Sequence, residues 1–368
     1  MNILIACDSF KDALDAHAVC LAVERGLHLA DPGFQTRVFP LSDGGEGMAD
    51  VLRFHLGLQM REITVHDPLY RKISAQYGMS ADGTVAFLEM AQAAGLQLLT
   101  PDERNPLNTS TYGVGEMIAD ALQKGARRIV LGIGGSATHD LGTGMAAALG
   151  WRFLDENRRP VLLTGRSLMH IRHVLPPENP VYAGAIFEVI CDVKNPLTGS
   201  TGAAYVYARQ KGADDAGIDW LEAGARQFVA LLPPKAVHPD QAGAGAAGGL
   251  GFGALFFLNA TLKPGIDTIL DLTDFDRQLA WADVVFTGEG KIDQQTAQGK
   301  LIAGIAARAR PKEVVALCGA LAASPAVVRE LGLYAAFSIA QKPCSLAEAL
   351  ARTAEDLEAT AFQVGRLL

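Results

Sequence analysis

Short apolar runs without polar alternation recur along the chain: Ile3 to Ala6, Ile129 to Ile133, Phe187 to Cys191, Val284 to Phe286, Val314 to Leu317 and Ala335 to Ile339. Such runs suit strands buried on both faces, as in a parallel sheet covered by helices. Between them, Val19, Ala22, Val23, Gly26 and Leu27 fall at i, i+3, i+4, i+7 and i+8. Val114, Met117, Ile118, Ala121 and Leu122 repeat that spacing, which marks one buried helix face. The alternation of strand and helix patterns gives the α/β class. One stretch differs: Arg61 to His66, Ser74 to Met79 and Thr84 to Met90 are separated by Asp67-Pro68 and Ala81-Asp82-Gly83 with no helical pattern between. That predicts a local antiparallel meander. Because parallel-type runs occur at both ends, residues 1–60 and 282–368 are expected to form one lobe. Residues 61–281 would be inserted as a second α/β lobe, with the active site in the cleft between the two. Gly243 to Gly253 is rich in glycine yet too hydrophobic for a flexible linker.

The chain has 368 residues, 49% hydrophobic and 20% charged, enough apolar side chain to fill real cores and no signature of disorder. A formal charge of -8, with no block of Lys or Arg, argues against nucleic acid and membrane as partners. An acidic protein that binds anions must therefore gather its cations and backbone N–H groups locally. No apolar run reaches the roughly 18 residues of a membrane span, and Asp8 and Lys11 interrupt the opening run before it could read as a secretory signal. Cys7, Cys20, Cys191, Cys318 and Cys344 are odd in number and form no Cys-x-x-Cys pair. A reducing, cytoplasmic location is expected, without structural zinc.

Polar residues gather just after the apolar runs, where open α/β sheets bind ligands beyond the carboxyl ends of their strands. Asp8-Ser9-Phe10-Lys11 offers an acid, a hydroxyl and a cation, although Asp8 or Ser9 also fits as a helix N-cap. Ser42-Asp43-Gly44-Gly45-Glu46-Gly47 follows Val38 to Leu41 and joins two carboxylates to glycines that let backbone approach a ligand; a plain Asp-Gly turn is the simpler reading. Thr109-Ser110-Thr111 precedes the helix of Val114 to Leu122, where hydroxyls and N–H groups suit a carboxylate or phosphate, while ordinary capping needs only one of them. Gly134-Gly135-Ser136-Ala137-Thr138 is a glycine-rich turn able to cradle phosphate, with His139 inside it. It lacks the Gly-Lys-Ser/Thr of a Walker loop, and Ala137 spoils a dinucleotide fingerprint. Asp192 and Asn195 suit magnesium or a substrate hydroxyl, although Asn195-Pro196 also reads as a turn; Gln210-Lys211-Gly212 comes next. The run from Thr287 through Gly288, Glu289, Lys291, Asp293 and Thr296 to Gly299-Lys300 concentrates carboxylates, cations and a hydroxyl beyond what a turn requires.

Taken in order, Asp8 to Lys11, Asp43 to Gly47, Thr109 to Gly115, Gly134 to Thr138, Cys191 to Leu197, Gln210 to Ala213, Gly243 to Gly251 and Thr287 to Thr296 with Gly299-Lys300 resemble the bacterial type-1 glycerate kinase family, from about Ile3 to beyond Lys342. Cys7, His139 and Leu141 depart from it, standing where Pro, Asn and Gly are expected. The resemblance implies ATP-dependent phosphorylation of D-glycerate with 2-phosphoglycerate the favoured product, a requirement for Mg2+, and one flavodoxin- or Rossmann-like lobe beside a family-specific lobe. A homodimer is one assembly it allows. Phosphoryl transfer asks for glycines to hold phosphates, carboxylates for the metal, cations to spread charge and a positioned hydroxyl. On that basis Asp192, which ends a buried strand, is the preferred base, with Asp8, Lys11 and Asp293 also catalytic. Glu289, Asp293 and Glu46 are candidate metal ligands. Ser9, Asp43, Gly44, Gly45, Thr109, Ser110, Thr111 and Asn195 are assigned to the acid substrate; Gly134, Gly135, Ser136, Thr138, Gly288, Lys291, Thr296 and Lys300 are assigned to ATP. Two rivals remain at this level. A nicotinamide-dependent hydroxy-acid dehydrogenase lacks its fingerprint here, and a non-catalytic small-acid sensor would be expected to have lost Asp192 or Asp293.

Overall fold

The structure, a computed structural model, describes residues 1–368 except 45, 46, 234–236, 295 and 297–300. Along the chain its strands are β1 (Asn2–Cys7), β2 (Gln35–Val38), β3 (Gln59–His66), β4 (Lys72–Met79), β5 (Val85–Glu89), β6 (Arg128–Gly132), β7 (Arg152–Leu154), β8 (His173–Leu175), β9 (Ile186–Ile190), β10 (Thr261–Lys263), β11 (Val284–Ile292), β12 (Glu313–Leu321) and β13 (Ala335–Ser338). Two compact units divide them: Met1–Asp43, Asp50–His55 and Gly265–Leu368 in the first, Gly44–Ala49 and Leu56–Pro264 in the second. Residues 265–281 therefore lie in the first unit rather than in the inserted part, as the helices Gly265–Leu272 and Phe275–Trp281.

In the first unit the sheet order is β13-β12-β11-β1-β2, parallel throughout. Numbered within the unit, that is the flavodoxin order 2-1-3-4-5. Ile3, Leu4 and Ile5 are wholly buried, as the unbroken apolar run demands. The helix Ala16–Ala30 starts where Asp15 accepts from Ala18 N at 2.8 Å, and it buries Val19, Val23 and Leu27. Against it lies the helix Thr353–Gly365, so close that a Cβ on Gly26 would stand 2.2 Å from Glu358 O. Leu27, Phe286, Leu317 and Leu357 share this core, each such burial contributing about 1.5–3 kcal/mol. β2 ends at Val38, but the chain keeps to the flank of β1, with Phe39 N donating to Ile5 O at 2.8 Å and Leu41 N to Cys7 O at 2.9 Å. The polar run after Phe286, read from sequence as a loop, is largely strand: β11 pairs with β12 as far as Ile292 opposite Leu321.

The second unit is built on a mixed sheet ordered β10-β9-β6-β5-β4-β3. β10, β9, β6 and β5 are parallel, while β5, β4 and β3 form the antiparallel meander that the turn residues predict. The apolar glycine-rich run becomes the helix Ala246–Leu258, kinked by left-handed Ala247, Gly248 and Gly249. The kink follows from packing, because a Cβ on Gly248 would stand 2.0 Å from Thr138 O. That contact presses the helix against the turn that follows β6.

Candidate active site

In the first unit β1 and β11 are neighbours at the point where the strand order reverses, the place where open α/β sheets bind ligands. Cys7 pairs with Gly288, and Asp8 N donates to Gly288 O at 2.9 Å, so Asp8 leaves β1 level with Glu289. Ser9 donates to Asp8 Oδ1 from its N–H at 2.7 Å and from its hydroxyl at 3.3 Å. Burial raises the Asp8 carboxyl to about 8; the charges of Asp43 and Glu289 push the same way, against the pull of Ser9. Like charges thus converge on a carboxyl that exchanges its proton near neutrality. Glu289 is itself oriented, since Thr296 Oγ1 donates to its Oε1 at 2.8 Å while accepting from Asp293 N at 3.1 Å. Lys291 pairs with Asp293 at 3.0 Å, and Lys11 is exposed on the turn after Ser9. Among the described residues, no group of three His, Cys, Asp or Glu side chains is placed to hold a metal ion.

In the second unit Gly134 and Gly135 are exposed just beyond β6, and Gly135 takes a φ of 73° that favours glycine. The segment after the turn is tied to the start of the helix Tyr112–Gln123 by Asp140, which is buried and accepts from Thr111 N at 2.7 Å, Thr111 Oγ1 at 2.9 Å, Gly142 N at 3.1 Å and Gly144 N at 3.2 Å. Burial still pushes its carboxyl upward against those donors. Lys211, also buried, donates from Nζ to Thr138 O at 2.7 Å and to Ser136 Oγ at 3.0 Å. Desolvation brings its ammonium down from 10.5 to about 7, with the nearby Asp140 charge opposing. His139 is wholly buried; among the described residues neither ring nitrogen has a partner, and burial beside Lys211 lowers it to about 3, leaving it neutral.

Several residues assigned from sequence have partners or surroundings that the sequence did not show. Thr109, Ser110 and Thr111 are fully buried, and the carboxylate at that helix N-terminus is the chain's own Asp140; Thr109 Oγ1 donates to Ala137 O at 3.0 Å. Asn195 holds its own loop, accepting from Tyr207 at 2.6 Å and donating to Thr201 O at 2.8 Å, so the turn reading prevails. β9 stops at Ile190 and Asp192 is exposed beyond it, which removes the reason for preferring it as base. Gly288 is buried in the sheet, where a Cβ would meet Leu317 O at 2.6 Å; packing accounts for that glycine. Thr138 and Thr296 are buried and serve Lys211 and Glu289 rather than facing outward. Gly45, Glu46 and Lys300 lie outside the described residues. Sequence reasoning missed Glu89, which ends β5 level with Gly132, is buried and accepts from Ala49 N at 2.7 Å. Its signal was an acid directly after the apolar run of Val85 to Leu88. Gly44 packs there too, its carbonyl 2.9 Å from where a Gly132 Cβ would be.

A carboxyl raised toward neutrality among like charges at a sheet's switch point, and a buried lysine bonded to a glycine-rich turn, are groups of the kind phosphoryl transfer uses. A sequence model described as the glycerate kinase family matches residues 3–368. Glycerate kinases of Halalkalibacterium halodurans and Bacillus subtilis are each 41% identical over 99% of this chain and 97% of their own length. The glycerate 2-kinase of Escherichia coli is 38% identical over 95% of this chain and 93% of its own. A crystal structure from Salmonella typhimurium LT2, provisionally assigned as a glycerate kinase 2, aligns with a TM-score of 0.86 at 37% identity, covering 100% of this chain and 98% of that one. The chain belongs to the glycerate kinase family.

Proposed function

We propose that the chain transfers the γ-phosphoryl group of ATP to the 2-hydroxyl of D-glycerate, releasing ADP and 2-phosphoglycerate. Family membership over the full length supports the reaction. The observation in the molecule that carries it is the Asp8 carboxyl raised to about 8 beside Asp43 and Glu289. An alcohol is a weak acid, so its proton leaves late in a loose transition state and asks for a base whose affinity for protons lies near the working pH. Asp8 meets that demand and is rigidly placed by β1 and Ser9. Lys11 and Lys291 are the cations of the same unit assigned to the transferred charge.

A magnesium ion accompanying the nucleotide would supply positive charge to offset that of the phosphates. It asks for only one or two protein carboxylates in such sites, all hard oxygen donors. Glu289, oriented by Thr296 and crowded by Asp8, fits that role better than Asp293, which is paired with Lys291. The exposed Gly134 and Gly135 are assigned to a phosphate group. Among the described residues no helix is long and apolar enough to cross a membrane, and the cysteines are unpaired. Free thiols suit a reducing compartment, and we place the reaction in the cytoplasm. The test is ADP release from Mg-ATP with D-glycerate, with the phosphorylated carbon identified by phosphorus-coupled NMR. Turnover no faster with D-glycerate than without it would refute the function, and a 3-phosphate product would refute the regiochemistry.

A further inference from the structure

We propose that Lys211 is the cation of an oxyanion subsite on the Gly134–Ser136 turn, where it meets a phosphate group of the nucleotide. The proposal rests on the kinase reading above and assigns a partner to a group that reading leaves unused. A lysine is almost never fully buried unless its charge is paired. Lys211 is only 2% exposed, yet its two hydrogen-bond partners are the neutral oxygens of Ser136 and Thr138. The nearest carboxylate, Asp140, is already engaged by donors from Thr111, Gly142 and Gly144. His139, packed in the same place, is neutral and forms no hydrogen bond among the described residues. The other charged groups nearby look elsewhere: Arg209 pairs with Asp215, and Asp214 caps its own helix through Gly217 N at 2.8 Å. Arg104 packs its carbonyl and Cβ against Gly212, and its Nε is buried with no partner among the described residues, so it is a second cation near the same turn.

Burial disfavours the ammonium more than the Asp140 charge favours it, and its fall to about 7 reflects that balance. An anion on the exposed turn at Gly134 and Gly135 would add a further counter-charge. The link is direct, because Ser136 is part of the turn and its hydroxyl oxygen accepts the hydrogen bond from Lys211 Nζ. An exposed Gly134–Gly135 turn joined through Ser136 to a desolvated cation would give a phosphate oxygen more than it gains in water. Lys211 is then charged when the anion is bound and close to half-charged at neutrality without it.

The test compares ADP binding by wild type and Lys211→Met by calorimetry from pH 6.5 to 9, with D-glycerate as a second ligand. The ratio of the two dissociation constants cancels any titration of ADP itself. It should be about 20-fold at pH 6.5 and approach one by pH 9, where about one ammonium in a hundred survives. A ratio within twofold of one at pH 6.5, or one that does not change with pH, overturns the proposal; a purely structural lysine would give the latter. The same pattern with D-glycerate and not ADP would overturn the phosphate assignment and make the anion a carboxylate. Should Lys211→Met fail to fold, wild-type binding of sulfate, which does not titrate in this range, decides it. Its dissociation constant should rise at least about tenfold between pH 6.5 and 9, and a flat profile overturns the proposal. Wild-type turnover is read separately, so a failed subsite and a failed kinase assignment are told apart.

Discussion

Replacing Asp8 by Asn removes a charge while keeping the shape of the side chain and an oxygen to accept from Ser9 N at 2.7 Å. The carboxyl rises from 3.8 to about 8 in the folded chain. At 1.36 kcal/mol per unit, that spans roughly 6 kcal/mol as an upper bound on the strain of ionising it in place. Partial exposure, and the freedom of Asp43 and Glu289 to move apart, bring the net effect to about 1–2 kcal/mol. The sign follows from linkage: an acid whose folded value lies above its unfolded value stabilises fully at low pH. The stability it confers is lost as pH climbs from the unfolded value near 4 to the folded value near 8. Asn has no such loss. In scanning calorimetry without nucleotide or metal, the variant's Tm should therefore gain on wild type as pH rises above 4, levelling off at about 3–6 °C once the wild-type carboxyl is ionised. Turnover should fall by at least about a hundredfold while KM for both substrates stays within about threefold. A Tm difference that ignores pH, or a kcat within about threefold of wild type, would refute the argument. Asp192→Asn is the comparator, expected to keep kcat within about threefold because its side chain is exposed.

Three further outcomes follow from the geometry. Asp140→Asn should lower stability by about 2–4 kcal/mol in denaturant unfolding, since an amide turned toward the N–H groups of Thr111, Gly142 and Gly144 cannot accept all that the carboxylate does. Gly288→Ala should cost about 1–3 kcal/mol through the clash with Leu317 O, with KM for ATP unchanged in whatever protein folds. Glu289→Gln should raise the Mg2+ concentration for half-maximal rate about tenfold or more, with partial recovery at high Mg2+; recovery absent at every concentration would remove Glu289 from the metal.

What the amino-acid order settled was local. Unbroken apolar runs fixed β1, β6, β9, β11 and β12 because a strand covered on both faces has no polar side to show. The i, i+3, i+4 spacing fixed the helices Ala16–Ala30 and Tyr112–Gln123, and Asp67-Pro68 with Ala81-Asp82-Gly83 fixed the meander. The ordered set of glycine-rich and acidic segments was enough to point to the family. Which polar group faces a ligand was a different matter, because that depends on partners far away in the chain. Thr111 and Asp140 lie 29 positions apart, and only folding shows that one satisfies the other. Lys211 reaches Ser136 across 75 positions. Glu289 and Asp8 come together because β1 pairs with a strand 281 positions further along the chain, Cys7 opposite Gly288, and no local pattern encodes that register. Sequence alone ranked Asp192 above Asp8, an order that the proposed base reverses. Burial and the charge around a carboxyl decide its affinity for a proton, and both are properties of the tertiary structure.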